Sequence, residues 1–219
     1  VAFVASMPAV FQPVNGLTTQ ITQLQRIYVV LRRVFSLLDE EIEVEPGSIK
    51  LTGMSGKVRF ADVSFAYPGQ QEWALRHVDF AVRPGERVAI MGPSGAGKTT
   101  VFNLLMRFYD PQEGEVRVGG VNLADADPGS IRRHVAMVQQ EPTLFSGTIA
   151  DNIMYGRLQA TPSDVMRAAK QAELHEFVMS LPHKYETEVG EGGVTLSGGQ
   201  KQRLALATAL LTDPEVLLL

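Results

Sequence analysis

The nine residues GPSGAGKTT, Gly92 to Thr100, directly follow the apolar run Val88-Ala89-Ile90-Met91. GxxxxGKT between a strand and a helix is the pattern of a phosphate-binding loop. A triphosphate is held best by backbone N–H groups that converge on it, and a glycine-rich turn lets the backbone come that close. Gly92, Gly95 and Gly97 supply this freedom, with Pro93, Ser94 and Ala96 between them. A helix predicted from Lys98 to about Phe108 aims its N-terminal amides and positive dipole end at the same anion. Lys98 is placed for the β- and γ-phosphates, the Thr99 hydroxyl for Mg²⁺, and Thr100 completes the cradle. A chance glycine turn could spell the same letters, but the flanking strand and amphipathic helix argue for the nucleotide reading.

A second candidate lies about a hundred residues on. Leu196-Ser197-Gly198-Gly199-Gln200 opens a helix whose body, Lys201 to Leu211, keeps Leu204, Ala207, Leu210 and Leu211 on one face until Asp213-Pro214 stops it. A serine hydroxyl, open glycine amides and a helix N-terminus make a second anion site. The plainer reading is that Ser197 is an N-cap beside two glycines.

These residues need a scaffold, and 219 residues with 45% hydrophobic and 20% charged residues suffice for one well-buried domain plus an appendage. A net charge of −4 with no lysine or arginine run gives no electrostatic case for nucleic acid. Cysteine is absent, so disulfides and thiolate metal sites are excluded. Strands are expected over Lys57 to Phe60, Val63 to Tyr67, Ala74 to Val82, Arg87 to Met91, Gly114 to Val118, Val135 to Val138 and Val216 to Leu219. A helical stretch is expected from Pro162 to about Ser180, burying Val165, Ala168, Ala169 and Ala172.

Upstream, no charge occurs before Arg26, and the opening VAFVASMPAVF is apolar but shorter than the ~20 residues a membrane-spanning helix needs. From Leu17, the residues Ile21, Leu24, Tyr28, Leu31, Phe35 and Leu38 recur three and four apart, one stripe of a helix. Periodicity alone fits a core or coiled-coil helix as well as one leaving a membrane. The acidic stretch Asp39 to Gly47 reads as a linker, with a domain boundary near Gly56. The Val1 start and apolar end are read as those of a piece of a longer protein.

Taken together, the two motifs and their spacing resemble the ATP-binding cassette transporters, in which LSGGQ is the signature sequence. The resemblance implies an α/β fold: a P-loop NTPase (RecA-like) core with an antiparallel β subdomain and a helical subdomain at about 141–211. Two cassettes of that family dimerise head to tail, the signature of one closing over the γ-phosphate held by the other. Residues 1–38 then stand where the last transmembrane helix and its cytosolic extension would be, 39–56 as the linker and 57–219 as the nucleotide-binding domain. The implied cofactors are ATP and Mg²⁺. The implied partners are a second nucleotide-binding domain, the protein's own transmembrane domain and an unidentified solute. The implied location is a cell membrane, with the cassette in the cytoplasm.

Residue by residue, Tyr67 is similar to the aromatic that stacks on adenine, and Gln140 to the glutamine that touches Mg²⁺ and the attacking water; Gln139 is its easily confused neighbour. The loop Thr187 to Gly193 resembles the one that contacts the membrane helices of exporters. Thr208 stands where many members carry arginine, and His77, His134, His175 and His183 are read as structural or surface residues. The family's Mg²⁺ aspartate, catalytic glutamate and switch histidine follow a strand such as Val216 to Leu219, so these residues alone are expected to bind nucleotide weakly and hydrolyse little. The rivals are a soluble cassette ATPase acting on nucleic acid or ribosomes, and a regulatory cassette that binds ATP without turnover.

Overall fold

Inward-facing apolar residues recur at Val58 and Phe60 and then at Val63 and Phe65, a three-residue step that strict strand alternation forbids. The computed structural model resolves the conflict with a bulge. It describes residues 20–36, 38, 44–45, 47–53, 55–190 and 193–219. Strand β1 (Val58–Phe65) changes register against both neighbours after Phe60 and Ala61, and Asp62 takes φ 50° there. One continuous strand thus replaces the two expected. It is flanked by β2 (Leu75–Val82) and β3 (Glu113–Val118), and a short β4 (Val121–Asn122) completes an antiparallel sheet in the order β2-β1-β3-β4.

The inner face of this sheet, with Phe60, Val63, Phe65, Val116 and Val118, packs with Val101, Leu104 and Leu105 of helix α2 (Lys98–Leu105) in one core. Fully burying each such side chain stabilises the fold by roughly 1.5–3 kcal/mol, so this sheet anchors the helix that carries the phosphate loop. Phe60 also stacks on Phe80 at 4.6 Å between ring centroids.

Behind β4, a 3₁₀ turn (Leu123–Asp125) leads to α3 (Pro128–His134), which Asp127 caps through the Ser130 amide. Next comes β5 (Val135–Met137). It pairs in parallel with β8 (Val216–Leu218), Val135 opposite Val216 and Met137 opposite Leu218. The expected strand Arg87 to Met91 does not form. A strand needs a ladder partner, and no described segment pairs with it. Val88, Ile90 and Met91 are exposed, where their β-branching and hydrophobicity predicted burial.

A second core is helical. It holds Ile149 and Ile153 of α4 (Ile149–Met154), Val165, Ala168 and Ala169 of α5 (Pro162–Gln171), Val178 of α6 (His175–Ser180), and Leu204, Ala207 and Leu211 of α7 (Gly198–Leu211). The helical stretch expected from Pro162 to about Ser180 is two helices, because Glu173 at φ 54° turns the chain between α5 and α6. A small pair, β6 (Gly147–Thr148) with β7 (Glu188–Val189), closes this layer.

The chain divides into two units, Val1–Glu43 and Val44–Leu219, the second starting earlier than the boundary expected near Gly56. In the first, residues 20–36 form helix α1, whose Ile21, Leu24, Tyr28, Leu31 and Phe35 are between 48% and 65% exposed. The stripe read from the sequence is therefore an uncovered apolar face. Among the described residues no helix is long and apolar enough to cross a membrane. Residues 1–19, which carry the apolar opening, lie outside the described part.

Candidate nucleotide site

The phosphate loop is built from the start of α2 backward. Gly97 is the N-cap at φ 83°, and a Cβ there would stand 2.5 Å from the Ala74 carbonyl oxygen and 2.6 Å from the Leu75 side chain. Glycine alone meets both demands. Lys98 turns its ammonium back into the loop, donating to the carbonyls of Gly92 at 2.9 Å and Pro93 at 2.6 Å. The loop thus curls around a positive charge, with Gly92, Pro93, Ser94, Gly95 and Ala96 exposed. Thr99 beside it is exposed, whereas Thr100 is buried.

Thr100 and Tyr67 meet: their hydroxyls are 3.1 Å apart, and Asn103 Nδ2 donates to the Tyr67 hydroxyl at 3.0 Å. An amide nitrogen only donates, so the tyrosine accepts there and its own proton is free for Thr100. The Tyr67 ring packs edge-on against Phe65 and Tyr109, at 4.9 and 5.2 Å between centroids. Tyr67 is thereby fixed to the helix that carries Lys98. Asn103 and Tyr109 were not among the sequence candidates, since only the fold brings them to Tyr67.

Ser197 caps α7 by a reciprocal box: its hydroxyl accepts from the Gln200 amide at 3.3 Å, and Gln200 Oε1 accepts from the Ser197 amide at 2.8 Å. The first amides of a helix have no partner within it. The box satisfies Gln200, which leaves those of Gly198 and Gly199 on an exposed helix end. The capping and anion readings of Ser197 are thus compatible. Gln140 is exposed, and its backbone carbonyl accepts from Gln202 Nε2 at 3.2 Å, one turn into α7. Gln139 is exposed as well.

The two motifs stand on different cores, α2 in the sheet layer and α7 in the helical one. Thr208 Oγ1 is 3.0 Å from the carbonyls of both Leu204 and Asn152, so a small hydroxyl joins α7 to α4 at the position discussed above. In the loop Thr187 to Gly193, Glu191 and Gly192 lie outside the described residues. Three of the four histidines have side-chain partners: His134 Nδ1 is 2.6 Å from Glu215, His77 Nδ1 is 2.9 Å from Asp62, and His175 Nδ1 is 2.9 Å from the Tyr185 hydroxyl, while His183 is exposed.

Three aspartates are held below their usual range, two by helix caps and one by an ion pair. The hydroxyl and then the amide of Thr148 hold Asp151 below the usual aspartate range. The amide and then the hydroxyl of Thr161 do the same for Asp164. The Arg59 guanidinium lowers Asp79. Among the described residues, no group of three His, Cys, Asp or Glu could hold a metal.

An exposed glycine loop thus stands at the start of the helix that Lys98 opens, and a second exposed helix end, capped by Ser197, stands on a separate core. Residues 75–219 match the family model for ABC transporters, and the chain belongs to that family. It is 44% identical over its whole length to an ATP-dependent lipid A-core flippase of Pseudoalteromonas atlantica. It is 42% identical over its whole length to ATP-binding cassette sub-family B member 6 of Mus musculus. A solved bacterial Atm1-family ABC exporter with ATP bound aligns at TM-score 0.80 and 38% identity, covering 96% of this chain and 37% of that one. The chain spans 38% of the flippase and 26% of the mouse protein.

Proposed function

We propose that this chain is the ATP-binding and hydrolysing part of an exporter, working as a head-to-tail pair of cassettes. The observation that carries this reading is the exposed N-terminus of α7, where the capping box leaves the Gly198 and Gly199 amides open on a different core from Lys98. One copy supplies the loop Gly92 to Thr100 and the partner supplies Ser197, Gly198, Gly199 and Gln200 to the same γ-phosphate. A two-fold axis then buries two nucleotides at one interface.

Lys98 exchanges its loop carbonyls for the β- and γ-phosphates, a charge-assisted contact. Tyr67 presents its ring to adenine while Asn103 and Thr100 fix its edge. Thr99 and the Gln140 side chain would hold Mg²⁺, which when bound draws charge from the γ-phosphate. The Gln140 backbone, held by Gln202, links this response to the helical layer. Two relatives carry transport in their names, as a flippase and an exporter. That supports a membrane-embedded partner domain, a membrane location with the cassette in the cytoplasm, and residues 1–38 as the end of the preceding membrane helix. The rival of a soluble ATPase acting on nucleic acid has no basic patch to support it.

Ser197→Arg in the full-length protein tests the shared site. ATP binding by the single cassette is expected to persist, while the ATP-dependent dimer, read by light scattering, is lost. A normal dimer in this variant would refute the proposal.

A further inference from the structure

The second unit starts before its first strand, and Glu45 with residues 47–51 is bonded to it like a strap. The Ile49 amide donates to the Asp125 carbonyl at 3.0 Å, and the Ile49 carbonyl accepts from the Asp127 amide at 2.8 Å. The Leu51 amide donates to Ser130 Oγ at 3.2 Å. Gly47 passes so close that a Cβ would lie 2.3 Å from the Asp125 carbonyl carbon and oxygen. Leu51 is 6% exposed and joins the first core. Glu45 and residues 47–51 of the expected linker are thus an integral layer of the fold.

Its upstream end is gripped by Arg107, which is 3% exposed and is used by no step above. Arg107 follows Met106, the C-cap of α2, at φ 48°. Nε and Nη2 donate to the two oxygens of Asp110 at 3.0 and 3.1 Å. Nη1 donates to the Ala126 carbonyl, and Nη2 also donates to the Glu45 carbonyl at 3.0 Å. The arginine's own carbonyl accepts from Arg132 at 3.2 Å. Asp110 sets the plane of the guanidinium, and its remaining donors read backbone carbonyls from two separate segments.

A buried ion pair is a poor device for stability, since well-packed apolar residues often do as well or better. What this arginine adds is register between segments. The helix it terminates carries Lys98 at its other end, and eight residues of helix span only about 12 Å.

We propose that Arg107 is a positioning residue that couples the strap, Glu45 with 47–51, to the phosphate loop through α2. Nucleotide on Lys98 firms the strap, and a docked strap raises nucleotide affinity, because coupling between two sites is reciprocal. The inference rests on the nucleotide reading above and adds a route from the cassette to the chain that enters it. No contact between Arg107 and nucleotide is involved.

The test uses the full-length protein, with ATP and Mg²⁺ as the probe. Hydrogen exchange reads the amides of 47–51, and calorimetry reads the dissociation constant. In the wild type, saturating ATP is expected to slow exchange at Ile49 and Leu51. Gly47→Val, remote from the phosphate loop, is expected to speed that exchange and to raise the ATP dissociation constant about fivefold, the low end of ordinary coupling. Arg107→Met is expected to do the same, and the double variant no more than either alone, because both break one connection. A freed strap with affinity unchanged within about twofold would show a merely structural strap and overturn the inference. So would wild-type exchange that ignores ATP, which decides the matter even if a variant fails to fold. A wild-type protein that binds no ATP by calorimetry overturns the nucleotide reading itself, and the inference with it.

Discussion

Gly97→Ala is the sharpest single perturbation of the phosphate loop, because two independent costs fall on one methyl group. Gly97 sits at φ 83°, and an alanine held in the left-handed region loses about 1–2 kcal/mol. The added Cβ would also stand 2.5 Å from the Ala74 carbonyl oxygen, inside any real contact distance. Relief requires the start of β2 to retreat, yet the Ala74 amide is bonded to the Phe65 carbonyl at 2.8 Å. Breaking that bond costs a further ~1 kcal/mol. The sum is about 2–3 kcal/mol, a large share of an ordinary domain's 5–15 kcal/mol.

Urea denaturation at constant m should show a midpoint lowered by about 1 M or more for an m near 2 kcal/mol/M. The matched control is Gly198→Ala, where a Cβ meets nothing within 4 Å at the first turn of α7. Its stability should stay within about 0.5 kcal/mol of wild type or rise slightly. A Gly97→Ala midpoint equal to that of Gly198→Ala would refute the argument, since it would mean that the α2 cap tolerates a side chain.

Lys98→Ala removes an ammonium held inside the loop, so in the full-length protein ATP affinity measured by calorimetry should fall at least about tenfold, with ATPase activity abolished. Unchanged affinity would count against the cradle. Thr148→Ala breaks a capping box and should cost about 1 kcal/mol near neutral pH. The folded Asp151 pKa is depressed, so its stabilisation is complete above the unfolded value of about 3.9 and is lost as pH falls through the folded value. The variant should therefore lose less on acidification than the wild type, and parallel stability curves from pH 7 to 3 would argue against the box.

Much of the candidate site was legible because its chemistry is local. Gly97 before Lys98, and Ser197 three residues before Gln200, are short-range instructions: a left-handed cap and a capping box form from neighbours in sequence. The buried faces of α5 and α7 followed from helical spacing for the same reason. The one expected strand that failed among the described residues did so for want of a partner. Val88 to Met91 have the residue types of a strand, but a strand exists only when another segment completes its hydrogen bonds. The break at Glu173 was masked by good helix formers on both sides.

The sequence by itself determined the glycine loop before Lys98, the capped start of α7 and the buried face of α5. Each of these is written in the spacing of a few consecutive residues. Only the tertiary structure decided that Tyr67 is pinned by Asn103 and Thr100, that Arg107 clamps the Glu45 carbonyl, and that the two motifs stand on separate cores. Such contacts join residues dozens of positions apart, and the pattern along the chain carries no record of which segments burial brings together.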